Sequence, residues 1–211
     1  MVAAFAGDAS ARILNDPLTT MRIAISGSHC SGKTTLIDEF LGAHPDYSHE
    51  PEAYTVLVEE HGEEFSAEPS ADDFYRQLEF NVETLCRYPD GERVIYERCP
   101  VDYLAYMLAL ADLNSAAADR VLFEASMRMV LDAIRNLDLI VFLPLDDADG
   151  IEMPDSEGPQ LRTAVDSRLA AILNDDELGF VSSGSVAVVE ARGTTSQRLQ
   201  TIENAMKSHP R

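Results

Sequence analysis

A glycine-rich segment with one lysine and one threonine has the spacing needed to bind phosphate groups. It fits the pattern G-x-x-x-x-G-K-[ST] at every position, in the order Gly27, Ser28, His29, Cys30, Ser31, Gly32, Lys33 and Thr34. Glycines let the backbone wrap closely around phosphates, so that successive N–H groups point at the anion from a helix N-terminus. Lys33 can reach the β- and γ-phosphates, and the Thr34 hydroxyl can ligate magnesium. We predict that this phosphate loop, with the following Thr35, binds ATP and Mg²⁺; the alternative is a plain glycine-rich turn.

A second pair of charged residues follows a short apolar segment that we predict to be the third strand. Glu97 and Arg98 stand between Tyr96 and the dipeptide Cys99-Pro100. Ligands of open parallel sheets bind beyond the carboxyl ends of the strands, so both side chains should face the crevice of the phosphate loop. We expect Glu97 to hold the magnesium shell and Arg98 to neutralise charge on a transferring phosphoryl group. The alternative is a surface ion pair at a strand end.

Two carboxylates follow a weaker strand signal at residues 47–50. Glu50 and Glu52 flank Pro51, and a carboxylate there could accept the proton of an attacking hydroxyl group. We expect Glu50 rather than Glu52 to be this base, because Glu50 is nearer the strand end. The alternative is a solvated acidic turn in a very acidic chain.

Two further segments are candidates for closing the site. Arg162 and Arg168 follow a Gly/Pro-rich acidic loop, and we predict a lid over about residues 146–168 that excludes water. Arg162 is the predicted phosphate contact, whereas Arg168 can simply pair with Asp166 or Glu157. After the last predicted strand, a turn could frame the adenine, or it could be an ordinary helix N-cap; it consists of Arg192, Gly193 and Thr194.

Composition limits the classes of partner. The formal net charge is −21, from 37 acidic and 16 basic residues, which disfavours nucleic acid and anionic membranes. No apolar stretch approaches the ~20 residues that span a bilayer. The three cysteines, an odd number, match neither a disulfide framework nor a zinc site. These features predict a cytoplasmic protein; a homodimer stays open.

Strand and helix signals alternate along the chain. Strands are predicted at 21–26, 47–50, 93–97, 138–143 and 185–190, and helices at 33–41, 55–61, 72–88, 101–113, 116–136, 161–173 and 195–207. This alternation predicts a single α/β domain over residues 21–211, with a parallel sheet covered by helices on both faces. Residues 1–20 have no clear period, and we interpret them as an N-terminal extension.

Together, these motifs resemble the nicotinamide riboside kinase-like group of P-loop ATPases, within the nucleoside and nucleotide kinase class. The similarity covers about residues 21–207 and includes Glu97–Tyr106 and Gly193–Arg198. It implies a three-layer P-loop NTPase fold with a five-stranded parallel sheet of order 2-3-1-4-5, and a Glu-Pro motif whose glutamate is the base. The chain departs from the group in its less basic lid, in Cys99 where a serine is usual, and in Glu97 where many members have aspartate.

Two functions remain open from the sequence. The first is a small-molecule kinase that transfers the γ-phosphoryl group of ATP to a nucleoside-like acceptor. Its acceptor pocket would be built from the helix at 72–88 and the helices after Pro100, with contact groups from Tyr54, Phe74, Tyr75, Arg76 and Gln77. The aromatic residues of this set could equally belong to the core, and for Phe74 we favour the core. The second is a regulatory ATPase or nucleotide switch, related to AAA-type ATPases, that acts through a protein partner.

Overall fold

The computed structural model describes residues 20–66, 68–89, 91–114, 119–146, 158–182, 184 and 186–209. The predicted extension therefore lies outside the described residues, except for Thr20. The predicted lid is described at residue 146 and from residue 158 onward. The phosphate loop and all of the predicted site residues lie within the described ranges.

Five parallel strands form one sheet in the order β2-β3-β1-β4-β5. The strands are β1 (Arg22–Ser26), β2 (Ser48–Glu50), β3 (Val94–Glu97), β4 (Leu139–Phe142) and β5 (Ala187–Glu190). This confirms the predicted strand order. In the register of the sheet, Ile25 of β1 pairs with Glu97 of β3 and with Val141 of β4. The residues that follow these strands therefore emerge at the same edge of the sheet.

Helices connect the strands and cover both faces of the sheet. They are α1 (Lys33–Ala43), α2 (Ala53–Glu59), α3 (Ala71–Arg87), α4 (Pro100–Leu113), α5 (Arg120–Ala133), α6 (Pro159–Leu173) and α7 (Thr195–Ser208), with a 3₁₀ turn at Ile134–Asn136. Helix α5 begins later than the predicted residue 116, because Asp119 caps it by accepting from the N–H groups of Val121 and Leu122. Within the described residues, no helix combines the length and apolar character that a membrane crossing needs.

The core has two halves, one on each face of the sheet. Alternate residues of a strand point to opposite faces: Ala24 packs with the layer that contains α2–α6, whereas Ile23 and Ile25 pack with α1 and α7. All five residues of β1 are buried. Burial on both faces explains the apolar runs of the three central strands β3, β1 and β4. The layers of helices on the two faces confirm the predicted three-layer α/β architecture.

Helix α3 begins with a capping box that connects it to the preceding loop. The Ser70 hydroxyl accepts from the Asp73 N–H at 3.1 Å, and Asp73 Oδ2 accepts from the Ser70 N–H at 3.1 Å. We predict that Ser70→Ala lowers the free energy of unfolding by about 1 kcal/mol, the usual contribution of an N-cap hydroxyl. Urea unfolding followed by circular dichroism measures this change.

The control is Ser167→Ala, which removes a hydroxyl that bonds the Thr163 carbonyl inside an exposed part of α6. Alanine is the better helix former there, so this variant should be at least as stable as the wild type. Equal losses in the two variants would show that the cap contributes nothing specific.

Candidate functional site

The phosphate loop connects the end of β1 to the start of α1, and two of its glycines are required by the geometry. Gly32 caps α1 with a φ of 86°, a left-handed conformation that side chains disfavour. At Gly27 a Cβ atom would lie 2.8 Å from the Leu143 carbonyl oxygen and 2.6 Å from Ser31 Oγ. The loop therefore has its predicted place between a buried strand and a helix N-terminus.

Lys33 is buried under the loop, with 5% of its surface exposed. Its Nζ donates to the carbonyl oxygens of Gly27 at 3.1 Å and Ser28 at 2.8 Å. Burial, followed by the charge of Arg98, lowers the pKa of Lys33 to about 8. The ammonium is thus held against the loop, and an anion bound nearby would stabilise its protonated form.

Two serine hydroxyls of the loop are buried without a partner. Ser28 and Ser31 are at most 1% exposed, and neither hydroxyl forms a hydrogen bond to a described residue. Buried polar groups are normally paired, because an unpaired one costs roughly 1–3 kcal/mol. Among the described residues, these two hydroxyls therefore have a donor capacity that no partner uses.

The predicted magnesium residues lie next to each other. Thr34 Oγ1 donates to Glu97 Oε1 at 2.8 Å, which joins the start of α1 to the end of β3. Among the described residues, no group of three or more His, Cys, Asp or Glu side chains is arranged to hold a metal. Mg²⁺ is commonly bound by one or two protein oxygens together with phosphate oxygens and water. The Thr34–Glu97 pair fits that kind of site.

Arg98 is the most connected side chain of the site. The backbone of Arg98 is left-handed, with a φ of 72°, and 2% of the residue's surface is exposed. Nε donates to Glu52 Oε1 at 2.5 Å, Nη1 donates to the Gly27 carbonyl at 2.8 Å, and Nη2 donates to the Tyr106 hydroxyl at 3.2 Å. Although burial opposes the charge, the carboxylate of Glu52 raises the pKa of Arg98 well above its usual value.

Asp102 connects Arg98 to the phosphate loop. This fully buried carboxylate accepts from the Gly27 N–H through Oδ1 and from the Cys99 N–H through Oδ2, both at 3.0 Å. Arg98 Nη1 lies 3.5 Å from the same Oδ1. Asp102 caps helix α4, and it also fixes the first residue of the loop.

The two glutamates around Pro51 have different surroundings from those expected. Glu50, at the end of β2, accepts from the Tyr88 hydroxyl and lies 3.5 Å from Arg87 Nη1, both near the end of α3. It does not line the cavity beside the phosphate loop, whereas Glu52 does. Of the two glutamates, Glu52 is the one that faces the crevice, and the role of Glu50 as the base stays a prediction.

The position of Glu52 is explained by the end of β2. The strand stops at Glu50, and Glu52 is the N-cap residue of α2, where the chain turns toward Arg98. Burial raises the pKa of the Glu52 carboxyl, but the charges of Arg98 and Lys33 outweigh burial and lower it. Glu52 is therefore ionised and directed at the site.

The two lid arginines differ in what they contact. Arg162, in the first turn of α6, donates to the His29 carbonyl at 2.9 Å and to the Cys30 carbonyl at 3.1 Å, on the outer side of the phosphate loop. Arg168 instead donates twice to Asp112 at 2.7 Å and lies 3.6 Å from Glu177. These partners are not the expected Asp166, and Glu157 lies outside the described residues.

The turn after β5 lies apart from the cavity. Arg192 is half exposed and pairs with Glu190, and Gly193 has a left-handed φ of 84°. Thr194 caps α7 in a reciprocal capping box with Gln197. These contacts agree with the alternative of a helix N-cap, and a role in binding adenine stays a prediction.

Sequence reasoning gave no role to Arg198. This arginine is 4% exposed, and its Nη1 donates to the Ser31 carbonyl at 2.8 Å, so α7 contacts the phosphate loop from the side opposite α4. The one available signal was spacing: Arg198, Ile202 and Ala205 share a face of α7, and that face is buried.

A cavity of about 560 Å³ opens beside the phosphate loop. One side is formed by the loop and the start of α6, and the other by α2, the following segment, α3 and α4. Ten of its lining residues belong to α2, the segment after α2, α3 and α4: Tyr54, Thr55, Phe65, Ser66, Pro69, Asp73, Phe74, Gln77, Tyr103 and Tyr106. Glu52 and Arg98 lie between the two sides, so the cavity joins a phosphate-binding loop, a carboxylate and a surface rich in aromatic rings.

We predict that Asp102→Asn lowers the free energy of unfolding by about 2–4 kcal/mol. The amide supplies only one acceptor oxygen, so its NH₂ group would face either the Gly27 or the Cys99 N–H donor, and Arg98 would lose a buried counter-charge. Urea unfolding measures the change. Asp112→Asn is the matched control, because it breaks a half-exposed ion pair worth about 1 kcal/mol or less. Similar losses in both variants would contradict the central position of Asp102.

Solved structures with the same fold include several nucleotide-related enzymes. A deoxyadenosine kinase from M. mycoides, solved with dCMP and dCDP, has a TM-score of 0.60 at 16% identity, covering 89% of this chain and 99% of that chain. A thymidylate kinase from Candida albicans has a TM-score of 0.61 at 17% identity, covering 90% and 92%. The NadR protein in complex with NR has a TM-score of 0.61 at 18% identity, covering 91% of this chain and 52% of NadR. At these identities the similarity shows the fold alone.

Sequence similarity identifies one protein family. No curated protein matches the chain. The model of one family, described as an AAA domain, matches residues 22–192. That range begins with β1 and ends in the turn after β5, so it contains the whole sheet and the phosphate loop. The chain therefore belongs to this AAA-domain family.

Proposed function

We propose that the protein is an ATP-dependent kinase that transfers the γ-phosphoryl group to a hydroxyl of a nucleoside-like small molecule. The observation that carries the proposal is the cavity of about 560 Å³ that meets both the phosphate loop and the ionised Glu52. Its size is that of a small-molecule site. The similar solved structures of deoxyadenosine kinase and thymidylate kinase support the same class of reaction.

In this proposal the phosphate loop and its neighbours bind the triphosphate of ATP. The loop itself carries the buried hydroxyls of Ser28 and Ser31 and the ammonium of Lys33. Arg162, which bonds the loop from α6, lines the cavity beside it. Mg²⁺, when bound, offsets charge on the phosphates, and Thr34 with Glu97 would hold it. We retain the expectation that the turn at Arg192, Gly193 and Thr194 lies beside the adenine.

Glu52 is the proposed base. Its Oε1 accepts the bond from Arg98, and no described residue bonds to Oε2, which leaves that oxygen for the acceptor hydroxyl. The hydroxyl proton would pass to Glu52 as the hydroxyl oxygen forms a bond to the γ-phosphorus. The bond from the γ-phosphorus to the bridging oxygen breaks, and ADP leaves with the electron pair.

Arg98 would act mainly by positioning. Four of its five N–H groups contact Glu52, Gly27, Asp102 and Tyr106, so one N–H of Nη2 remains for a transferring phosphoryl group. Because these contacts exist before any ligand binds, little reorganisation is required during the reaction, which is how fixed charges lower a barrier.

The open cavity also favours a kinase over a regulatory ATPase or nucleotide switch. A switch that acts only through a protein partner has no need for a small-molecule space beside the γ-phosphate position. A wall that contains five aromatic rings next to a carboxylate is typical of a site for an organic ligand.

The experiment that tests the proposal is a screen for ADP release with ATP and Mg²⁺ against nucleosides and related hydroxyl metabolites. One compound should raise turnover well above the basal rate, and mass spectrometry should find that compound with one added phosphoryl group. Binding of ATP without stimulation by any compound would contradict the kinase and favour the switch.

We predict that Glu52→Gln slows phosphoryl transfer by roughly 10²- to 10⁴-fold, the usual contribution of a general base, while ATP still binds. Glu50→Gln is a matched control two residues away, and it should have little effect because its side chain contacts Tyr88 and Arg87 outside the cavity. Single-turnover rates with saturating ATP provide the comparison. The reverse order, with the larger loss at Glu50, would return the role of base to that residue.

The pKa of Lys33 predicts how ATP binding depends on pH. Phosphates bind the protonated ammonium more tightly, and in the free protein Lys33 loses its proton as the pH rises through about 8. The affinity for ATP should therefore fall above that pH, by up to about tenfold per pH unit, and binding should take up a proton.

Isothermal titration calorimetry in buffers of different ionisation enthalpy measures this proton uptake. Lys33→Ala is the control, because it should bind ATP weakly and take up no proton near pH 8. An unchanged uptake in this variant would assign the proton to another group.

A further inference from the structure

We propose that the acceptor carries no phosphate or other anionic group, so that the site phosphorylates an uncharged or cationic hydroxyl compound. The inference rests on the proposed kinase function and concerns the cavity side opposite the phosphate loop. We call this side the acceptor wall, defined by its ten lining residues: Tyr54, Thr55, Phe65, Ser66, Pro69, Asp73, Phe74, Gln77, Tyr103 and Tyr106.

The acceptor wall contains no cationic side chain. Among the described residues that define it, the one charged side chain is the carboxylate of Asp73, which already accepts bonds from Ser66 and Ser70. The residues between positions 67 and 185 that lie outside the described ranges include no Lys, Arg or His, so they cannot supply the missing charge.

The two arginines that line the cavity do not belong to the acceptor wall. Arg98 contacts two carboxylates, those of Glu52 and Asp102, and four of its N–H groups are bonded. Arg162 donates to carbonyl oxygens of the phosphate loop, where the triphosphate would lie. An acceptor phosphate would therefore have to compete with the triphosphate of ATP for the N–H groups that these two arginines still have available.

The chain segment that forms much of the acceptor wall is strongly acidic. Residues 53–75 contain seven Asp or Glu residues and no Lys or Arg. The next arginine, Arg76, is bonded to Glu63 through both Nε at 3.1 Å and Nη2 at 2.6 Å. Of these carboxylates Asp73 lines the cavity, so a second anion on this wall would approach a like charge, which is a common means of excluding a ligand.

The surfaces that the wall does offer suit planar or cationic groups. Tyr54 and Phe65 lie with ring centroids 5.3 Å apart, and Tyr54 is 46% exposed. Phe74 stacks on Tyr106 at 4.6 Å. The faces of such rings attract cations and flat rings but repel anions.

The test compares matched pairs of acceptors that differ by one phosphate. Nucleosides and pentoses are each presented beside their own 3-position and 5-position monophosphates, so that one monophosphate of each parent keeps the reacting hydroxyl group free. ATP and Mg²⁺ are present, and products are identified by mass spectrometry. The unphosphorylated member of the productive pair should have a kcat/KM at least on the order of 100-fold higher. Equal or better use of the monophosphate would overturn this inference and leave the kinase function intact. Turnover of neither member of any pair would remove the kinase function, and the inference with it.

A pair of variants tests the physical cause. Thr55 is a half-buried member of the acceptor wall, and no catalytic step is assigned to it. Thr55→Lys adds a cation there, and Thr55→Gln adds similar bulk without charge. The ratio of kcat/KM for the monophosphate to that for its parent should be about tenfold higher in the lysine variant than in the glutamine variant. The same ratio in both variants would contradict charge as the basis of selection.

Discussion

The site depends on the guanidinium of Arg98 and the groups that surround it. A buried cation is tolerated only when its charge and N–H groups find partners, and Arg98 finds them in Glu52, Asp102, the Gly27 carbonyl and the Tyr106 hydroxyl. These contacts hold a left-handed residue that is otherwise unfavourable by roughly 1–3 kcal/mol. They also connect the phosphate loop, β3, α2 and α4, so the position of each of these elements at the site depends on the others.

The parallel sheet makes this arrangement possible. Strands β1 and β3 end side by side, so Gly27 and Arg98 emerge at the same edge although they are far apart in sequence. Around that edge lie four of the 16 Lys and Arg residues of a chain with a net charge of −21: Lys33, Arg98, Arg162 and Arg198. Cations concentrated in a cleft focus the field on the place where phosphates would bind, despite the acidic surface.

The sequence predicted those features of the fold and the site that local patterns encode. The phosphate loop, the apolar strands and the residues after β3 each depend on neighbours in the chain, and the resemblance supplied the strand order. The orientation of Glu52 could not be read in this way, because it depends on where β2 stops and on a guanidinium 46 positions away. Arg198 was missed for a similar reason: its partner, Ser31, belongs to a distant loop. Arg168 was given the wrong partner because α6 packs against α4, which places Asp112 beside it.

The measurement that tests the central claim most directly is the fate of the γ-phosphoryl group. The reaction is run in oxygen-18-labelled water with ATP, Mg²⁺ and a mixture of hydroxyl acceptors, and products are followed by phosphorus NMR and mass spectrometry. Transfer within the cavity beside Glu52 predicts a new phosphate ester that carries no label, formed in proportion to ADP. Recovery of the γ-phosphoryl group only as labelled inorganic phosphate, with no ester, would mean that water is the acceptor and would contradict the account.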